Sequence, residues 1–389
     1  MSEVAQAPHS SPDGRIPQLR FPEFDGVWES RLLKDAVKIN PRSGELPDEF
    51  IYIDLESVKK GYLIKETQIN KIGAPSRAQR LLNKNDVIFQ TVRPYQKNNY
   101  FFNLDGDYVA STGYAQLRVL NSPEFLYQAL HTDRFVYDVM ARSTGTSYPA
   151  INSTDLSKIK LNLPTKPEQQ KIAAFLTAVD NKIEQLSTKQ VLLGEYKKGL
   201  MQQIFSQAIR FKADDGCDFP DWEEKKLGDI LDYEQPTNYI VDSTEYDNSF
   251  DMPVLTAGKS FVLGYTNETH KVFENIPVII FDDFTTANKY VDFPFKVKSS
   301  AMKILKPKDS FVNIRLIFEF IQMLNFPIGE HKRYWISEYQ DLKIPFPSFE
   351  EQTKIASFLS SIDNKIEQVG KQLDESKQFK KALLQQMFV

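Results

Sequence analysis

The string DNKIEQ stands at Asp180–Gln185 and again at Asp363–Gln368, 183 residues later. At that offset residues 164–205 lie over 347–388 without a gap, and twenty of the forty-two positions are identical. Glu168/Glu351, Gln169/Gln352, Lys198/Lys381 and Gln202-Gln203/Gln385-Gln386 are among them. A match of this length is an internal duplication, and a duplicated chain is built from two like units. Fainter matches extend it upstream. Trp28 with Leu33 matches Trp222 with Leu227 at 194, DVIFQ (86–90) resembles PVIIF (277–281) at 191, and AQLRVL (115–120) resembles SAMKIL (300–305) at 185. The chain therefore reads as variable–constant, variable–constant.

In the constant blocks apolar residues recur at alternating spacings of four and three. The first copy places Ile172, Leu176, Val179, Ile183 and Leu186 on this pattern, and the second places Ile355, Leu359, Ile362, Ile366 and Val369. That is the heptad seam of helices packed as a coiled coil. Polar slots at Gln190, Lys197, Ser376 and Lys380 interrupt it and would set register. Each block opens with a capping-box spacing, Thr165-x-x-Glu168 and Ser348-x-x-Glu351, and Pro167 falls in a first turn where its missing N–H costs little. A helix of about forty residues is roughly 60 Å long. Taken alone, such helices are spacers without chemistry.

The variable segments, 18–163 and 219–346, carry short β-branched and aromatic runs (NDVIFQTV, PVIIFDDF, YVASTGYAQLRVL) between turn-forming residues, and then helical stretches (PEFLYQALHTDRFVYDVMAR, NIRLIFEFIQML). The expected fold is mixed α/β. A leader over 1–17, helical blocks over 164–208 and 347–389 and a polar linker over 209–218 complete the division. A chain of 389 residues with 41% apolar content can bury more than one core. It has no run of eighteen apolar residues, so no membrane association is expected, and one cysteine, Cys217, fits a reducing cytoplasm.

Catalytic signatures are missing. PVLTAGKS (253–260) ends like a phosphate-binding loop but begins with Pro253 where that loop needs glycine. Asp282 and Asp283 in FDDF suggest half of a metal-dependent nuclease site, yet no matching acid and lysine follow, and a solvated strand end is the expectation. His9, His131, His270 and His331 show no metal-ligand spacing. No catalytic residue and no metal ligand is expected.

Two variable domains, each followed by a helix opening as LNLPTKPEQQKIAAFL or IPFPSFEEQTKIASFL and running on through DNKIEQ, resemble the specificity subunit of type I restriction-modification enzymes. The resemblance covers nearly the whole chain. It implies two target-recognition domains, each reading half of a bipartite site in double-stranded DNA. It implies two long antiparallel coiled-coil helices with pseudo-twofold symmetry, setting the spacer and docking two methyltransferase (modification) subunits, and a restriction/translocase subunit in the full complex. The chain itself would bind no cofactor; S-adenosylmethionine, ATP and Mg belong to the partners. The assembled complex would be an adenine methyltransferase and ATP-dependent endonuclease. Major grooves on one face of B-DNA lie about 34 Å apart, a separation that a helix of this length spans.

Charge is less accommodating, because phosphate binding favours a basic footprint. The net charge is −4; residues 18–163 hold 19 Lys/Arg against 17 Asp/Glu, and residues 219–346 hold 14 against 20. Any basic surface is therefore local. Runs mixing cations, amides, hydroxyls and aromatics are the candidates: Arg93, Tyr95, Lys97 and Asn98; Arg142, Thr144, Thr146 and Tyr148; Thr285, Thr286, Asn288 and Lys289; and His331, Lys332, Arg333 and Tyr334. Arg and Lys suit guanine edges, Asn suits adenine and Thr meets a thymine methyl. A structural coiled-coil adaptor, or a self-contained DNA-cleaving enzyme with a helical arm, are the other readings.

Overall fold

The computed structural model describes residues 15–119, 121–257, 260–327 and 333–389. The expected leader falls outside them as far as residue 14. Two compact units emerge: residues up to Thr188 with Gly370–Val389, and Lys189–Val369. The division cuts both long helices, so each unit holds one variable segment, the first part of its own helix and the last part of the other.

In the first unit the chain runs β1 (Glu29–Leu32), the turn α1 (Leu33–Ala36), β2 (Val37–Ile39), β3 (Glu49–Ile53), the hairpin β4–β5 (Val58–Lys59, Tyr62–Leu63), β6 (Thr67–Asn70) and β7 (Ala78–Leu81). Then come β8 (Asp86–Gln90), β9 (Tyr100–Phe101), β10 (Tyr108–Ser111), β11 (Tyr114–Val119), α2 (Pro123–Ala129), α3 (Asp133–Met140), α4 (Ser153–Ser157), β12 (Lys160–Leu163) and α5 (Lys166–Phe205). The sheets are ordered β6-β3-β10-β7 and β2-β11-β8-β9, and β1 pairs with β12. Strand β8 is buried on both faces. Its period of two sends Val87 and Phe89 to the core under the helices and Ile88 to the core between the sheets.

The second unit repeats this plan. It contains β13 (Glu223–Lys226), α6 (Leu227–Ile230), β14 (Leu231–Glu234), β15 (Met252–Leu255), β16 (Val262–Thr266), β17 (Val278–Asp282) and β18 (Asn288–Val291). It continues through β19 (Lys296–Val297), β20 (Met302–Pro307), α7 (Ile314–Met323), α8 (Tyr334–Ser337), β21 (Lys343–Phe346) and α9 (Phe349–Gln386). The order β14-β20-β17-β18 matches β2-β11-β8-β9, and β13 pairs with β21 as β1 does with β12.

The ladders correct two sequence offsets. Leu117 pairs with Val87 and with Ile39, and Leu305 pairs with Ile279 and with Tyr233. With Trp28 over Trp222 at 194, β8 lies over β17 at 192 and β11 over β20 at 188, rather than 191 and 185. A one-residue slip would have put Val87 on Val278, whose side chain belongs to the opposite face with Ile280.

The helices pair antiparallel within each unit. In the first, Ile172 and Leu176 share a core with Leu383 and Met387, and Asp180 meets Lys380 further along. In the second, Met201 and Ile204 share a core with Ile355 and Leu359, and Lys197 meets Asp363. Leu186, Ile362 and Val369 are also buried, while Val179, Ile183 and Ile366 are half-buried. The seam thus serves two neighbours, since Trp28 and Phe125 of the α/β domain lie in the same cluster as Leu176.

The capping boxes close only in part: Ser348 Oγ accepts from Glu351 N–H at 3.4 Å, but neither glutamate side chain turns back to its cap. Glu168 is almost fully buried and accepts two 2.7 Å bonds from Arg20 (Nε and Nη2) and one of 3.3 Å from Trp28 Nε1. Glu351 accepts from Arg210 Nη2 at 2.8 Å and Trp222 Nε1 at 2.8 Å. A buried carboxylate needs charged donors, and a guanidinium fork with an indole N–H meets that need better than one backbone amide. The glutamine that follows ties the helix entry instead: Gln169 Nε2 donates to the Pro164 carbonyl and Gln352 Nε2 to that of Pro347, both at 2.9 Å.

The clamps also show a repeat that the sequence reading missed, Leu19-Arg20-Phe21 and Ile209-Arg210-Phe211. Phe21 packs edge-on against Phe175 and Phe211 against Phe358, at 5.8 and 5.5 Å between centroids. The start of the expected linker over 209–218 is therefore docked on α9.

Candidate nucleic-acid interface

In the first unit two remote loops form one edge. The chain leaving β8 is tied down by Thr91, whose amide and hydroxyl both donate to the Gly113 carbonyl. Arg93 N–H donates to the Pro149 carbonyl at 2.7 Å and Ile151 N–H to that of Thr91 at 3.0 Å. Thr144 and Ala150 exchange two 2.9 Å backbone bonds around a turn that Gly145 makes at φ +94°. The run holding Arg93 and Tyr95 therefore lies beside the run holding Arg142, Thr144, Thr146 and Tyr148.

Arg93 has φ 54°, a strained conformation for a residue with a Cβ, and its guanidinium lies 4.1 Å from the Tyr148 ring centroid. Tyr95 and Tyr148 are 49% and 64% exposed, far more than aromatic side chains that serve a core. Arg142, Thr144 and Thr146 are exposed as well. Arg77 and Thr112 adjoin the same edge, Thr112 N–H donating to the Arg77 carbonyl at 2.8 Å; neither sits in a mixed run, so sequence gave no signal for them.

Lys97 and Asn98 face inward. Lys97 Nζ donates to the His131 carbonyl at 2.8 Å and to Asp133 at 2.7 Å. Asn98 Oδ1 accepts from Lys60 N–H at 2.9 Å, and the Asn98 amide donates to Gln90. These contacts fasten the loop from beneath.

The second unit builds the corresponding edge. Its β17–β18 turn carries Thr285 and Thr286, the latter at φ 59°, and β18 opens with Asn288 and Lys289. Asn288 donates to the Thr286 carbonyl at 3.1 Å and accepts from Gln322. Asp283 joins this turn to α8, its carbonyl accepting from Tyr334 N–H at 2.9 Å and its carboxylate from Trp335 N–H at 3.0 Å. Arg333 is exposed beside it, whereas Tyr334 is buried with its ring against Phe326. His331 and Lys332 lie outside the described residues.

FDDF is not a solvated strand end. Asp282 and Asp283 are buried; Asp282 accepts from Phe284 and Thr285 N–H, and Asp283 also faces Lys303 at 3.7 Å. Asp282 caps its own turn and Asp283 caps a helix start brought in from 51 residues away, uses of carboxylates that need no ion. In PVLTAGKS, Pro253 lies in strand β15, while Gly258 and Lys259 fall outside the described residues. One grouping escaped the histidine spacing: Asp242, Glu268 and His270 bring a donor atom each within 4.8 Å. Lys271 already meets Asp242 at 3.0 Å and Lys296 meets Glu268 at 2.6 Å, which makes the group a neutralised brace. His270 and Lys271 together hold the Asp242 carboxyl down to about 2.

Among the described residues, no helix is long and apolar enough to cross a membrane. The family model that matches is the type I restriction modification DNA specificity domain, found twice, over residues 26–193 and 220–376. The specificity subunit of the EcoR124I/EcoR124II type I restriction enzyme of Escherichia coli is 49% identical over 141 residues, 35% of each chain. That of the MjaVIII enzyme of Methanocaldococcus jannaschii is 25% identical over 274 residues, 63% of this chain and 64% of the relative. The chain thus spans between about a third and two thirds of the length of these relatives. Two solved structures share the fold over more of the chain. The type I restriction-modification S subunit from M. genitalium has a TM-score of 0.65 at 17% identity, covering 96% of this chain and 99% of that one. A chain from a structure of type I R-M complex assembly and conformational transition has a TM-score of 0.52 at 22% identity, covering 92% and 96%.

Proposed function

The chain belongs to the type I restriction modification DNA specificity family, and from that membership we propose that it is the DNA-reading, non-catalytic subunit of a cytoplasmic restriction-modification complex. Each α/β domain reads one half of a bipartite duplex site through the edge described above. The helices set the spacer and dock two methyltransferase subunits, and a restriction/translocase subunit joins for cleavage. S-adenosylmethionine, ATP and Mg serve those partners.

The observation that carries this reading is the convergence of separate mixed runs in each unit. Arg93 and Tyr148 meet although 55 positions separate them, and Asp283 bonds to Tyr334 across 51. A rigid scaffold presenting exposed cations, hydroxyls and aromatics on loops is what base-edge and phosphate contacts require. An adaptor that bound no DNA would have no use for exposed tyrosines and a strained arginine at this edge.

The test is methylome sequencing of cells carrying the chain with its methyltransferase partner. Replacing residues 219–346 with another variable domain changes one half-site and keeps the spacer. Inserting four residues after Leu186 adds about 6 Å to one helix and should lengthen the spacer while leaving both half-sites alone. An unchanged methylated motif after the domain exchange would sink the proposal.

A further inference from the structure

Four residues of DNKIEQ and its flank have a use that helix pairing does not explain. In the first unit Thr177, Asp180, Asn181 and Glu184 line a cleft of about 540 Å³ between α5, α2, β9 and the β4–β5 hairpin. In the second, the residues 183 positions on, Ser360, Asp363, Asn364 and Glu367, line a cleft of about 1000 Å³. Asn181, Glu184, Asn364 and Glu367 are exposed and make no side-chain hydrogen bond or ion pair with another described residue. Internal packing does not account for their identity in the two copies.

The second cleft shows what such a slot holds. The Arg315 guanidinium lies 4.7 Å from the Tyr290 ring and 5.7 Å from the Phe318 ring, and pairs with Glu319 at 3.0 Å and with Asp363. This is a cation between aromatic faces and carboxylates, each of which attracts it. Counting from the helix caps Ser122 and Asn313, the residues over Arg315, Phe318 and Glu319 are Glu124, Tyr127 and Gln128; the ladders put Phe101 over Tyr290. The first cleft therefore has the aromatic walls and Asp180 but a glutamate where the second supplies its own arginine.

Two observations mark that slot as lacking a donor. Gln128 is 2% exposed; its Nε2 donates to Asp180 at 2.8 Å, but its Oε1 has no partner among the described residues. A buried unmatched acceptor costs free energy until a donor reaches it. Charge points the same way, with Glu66, Glu124, Asp180 and Glu184 set against Lys60 and Lys380.

We propose that the first cleft is a binding site for a guanidinium, an arginine side chain presented by a partner protein. It occupies in trans the place that Arg315 fills in cis in the other unit. Assigning that arginine to a methyltransferase subunit rests on the function proposed above; the chemistry of the cleft does not.

The test titrates N-acetyl-arginine amide into the full-length chain by ligand-observed NMR, with the neutral isostere N-acetyl-citrulline amide as control. Wild type should prefer the arginine probe by about tenfold or more, the size expected for one well-placed charge pair. Glu124→Arg supplies the guanidinium from within and should abolish probe binding. Glu184→Gln, at an exposed position that leaves the fold intact, should weaken it. Equal affinity for citrulline, or undiminished probe binding in both variants, overturns the site. A second arm measures binding of purified methyltransferase subunit to the same variants. Probe binding that responds to the variants beside unchanged subunit affinity overturns the assignment of the arginine to that partner, and neither arm depends on which bases are read.

Discussion

Lys197 lies 2.8 Å from Asp363, and Lys380, 183 residues further on, meets Asp180, 183 residues before Asp363. One helix-pairing contact is made twice, each time with donor and acceptor on opposite helices. The surroundings differ. Lys197 also reaches the buried Glu319 at 2.9 Å, whereas Asp180 has the neutral Gln128 as its second neighbour. Removing a cation from a buried acid costs more than removing one from a partly exposed pair. Arg315 stays on Glu319 at 3.0 Å when Lys197 is removed, so Lys197→Met should destabilise the fold by about 2 kcal/mol and Lys380→Met by about 1 kcal/mol, read as shifts of the urea midpoint. Equal losses would mean that Glu319 does not depend on Lys197.

His131 gives the first unit a pH response. Burial is the main cause that pushes its pKa from 6.5 down to about 4, with Lys380 and Lys97 nearby acting the same way and the Tyr127 carbonyl, 2.7 Å from Nδ1, opposing them. The folded state thus holds the ring neutral while the unfolded chain takes up a proton below pH 6.5. Its contribution is complete above pH 6.5 and is lost as the pH falls towards 4. Thermal unfolding should show Tm declining across that window, and His131→Gln should decline less steeply. Parallel wild-type and variant curves would assign the decline to carboxylates instead.

How far the sequence revealed this molecule depended on the range of the interaction. The long helices were legible because their apolar period and identical strings are local. The register of β8 was not, because a strand buried on both faces has no alternation to fix its phase. The capping boxes misled because the donors that claim Glu168 and Glu351 lie 129 to 148 positions away. For the interface, composition picked out the runs, but only the fold shows that Arg93 meets Tyr148, that Lys97 turns inward, and that Tyr334 is core. Asp283 read as solvated because the helix it caps begins 51 residues later.

The Leu-Arg-Phe and Ile-Arg-Phe segments make a covalent prediction. Ile209 N–H donates to the Gln203 carbonyl at 3.1 Å and Leu19 N–H to that of Gln386 at 2.9 Å, Gln203 and Gln386 being equivalent. In the first case five residues join the two partners along the chain. Linking Val389 to Leu19 through two residues, Gln-Ala, reproduces that connection, and the chain can be opened in the exposed turn between Asp215 and Gly216. Chain breaks are tolerated where backbone is exposed and little is packed. The permuted protein should unfold cooperatively with a Tm within about 3 °C of the parent, roughly a 1 kcal/mol change. An insoluble or molten product would show that the two junctions are not equivalent.

Three cations of one edge should separate by role. Lys97 is held by Asp133 and the His131 carbonyl, so Lys97→Met should lower stability and leave DNA affinity alone. Arg142, just past the end of α3, is exposed, and its guanidinium donates to the Asp138 carbonyl of that helix at 2.9 Å, a placement suited to the phosphate backbone. Arg142→Ala should weaken all duplexes alike and reduce the slope of log K against log salt by about one. Arg93 is different: its strained backbone and the Tyr148 ring fix the guanidinium before DNA arrives, as base reading requires. Arg93→Ala should cost about 1–3 kcal/mol on the cognate site and little on unrelated duplexes. Fluorescence anisotropy of the assembled complex on both duplexes, across a salt series, measures all three. A salt slope that falls as far in Lys97→Met as in Arg142→Ala would show that Lys97 leaves its internal partners for DNA, and this division of the edge would be wrong.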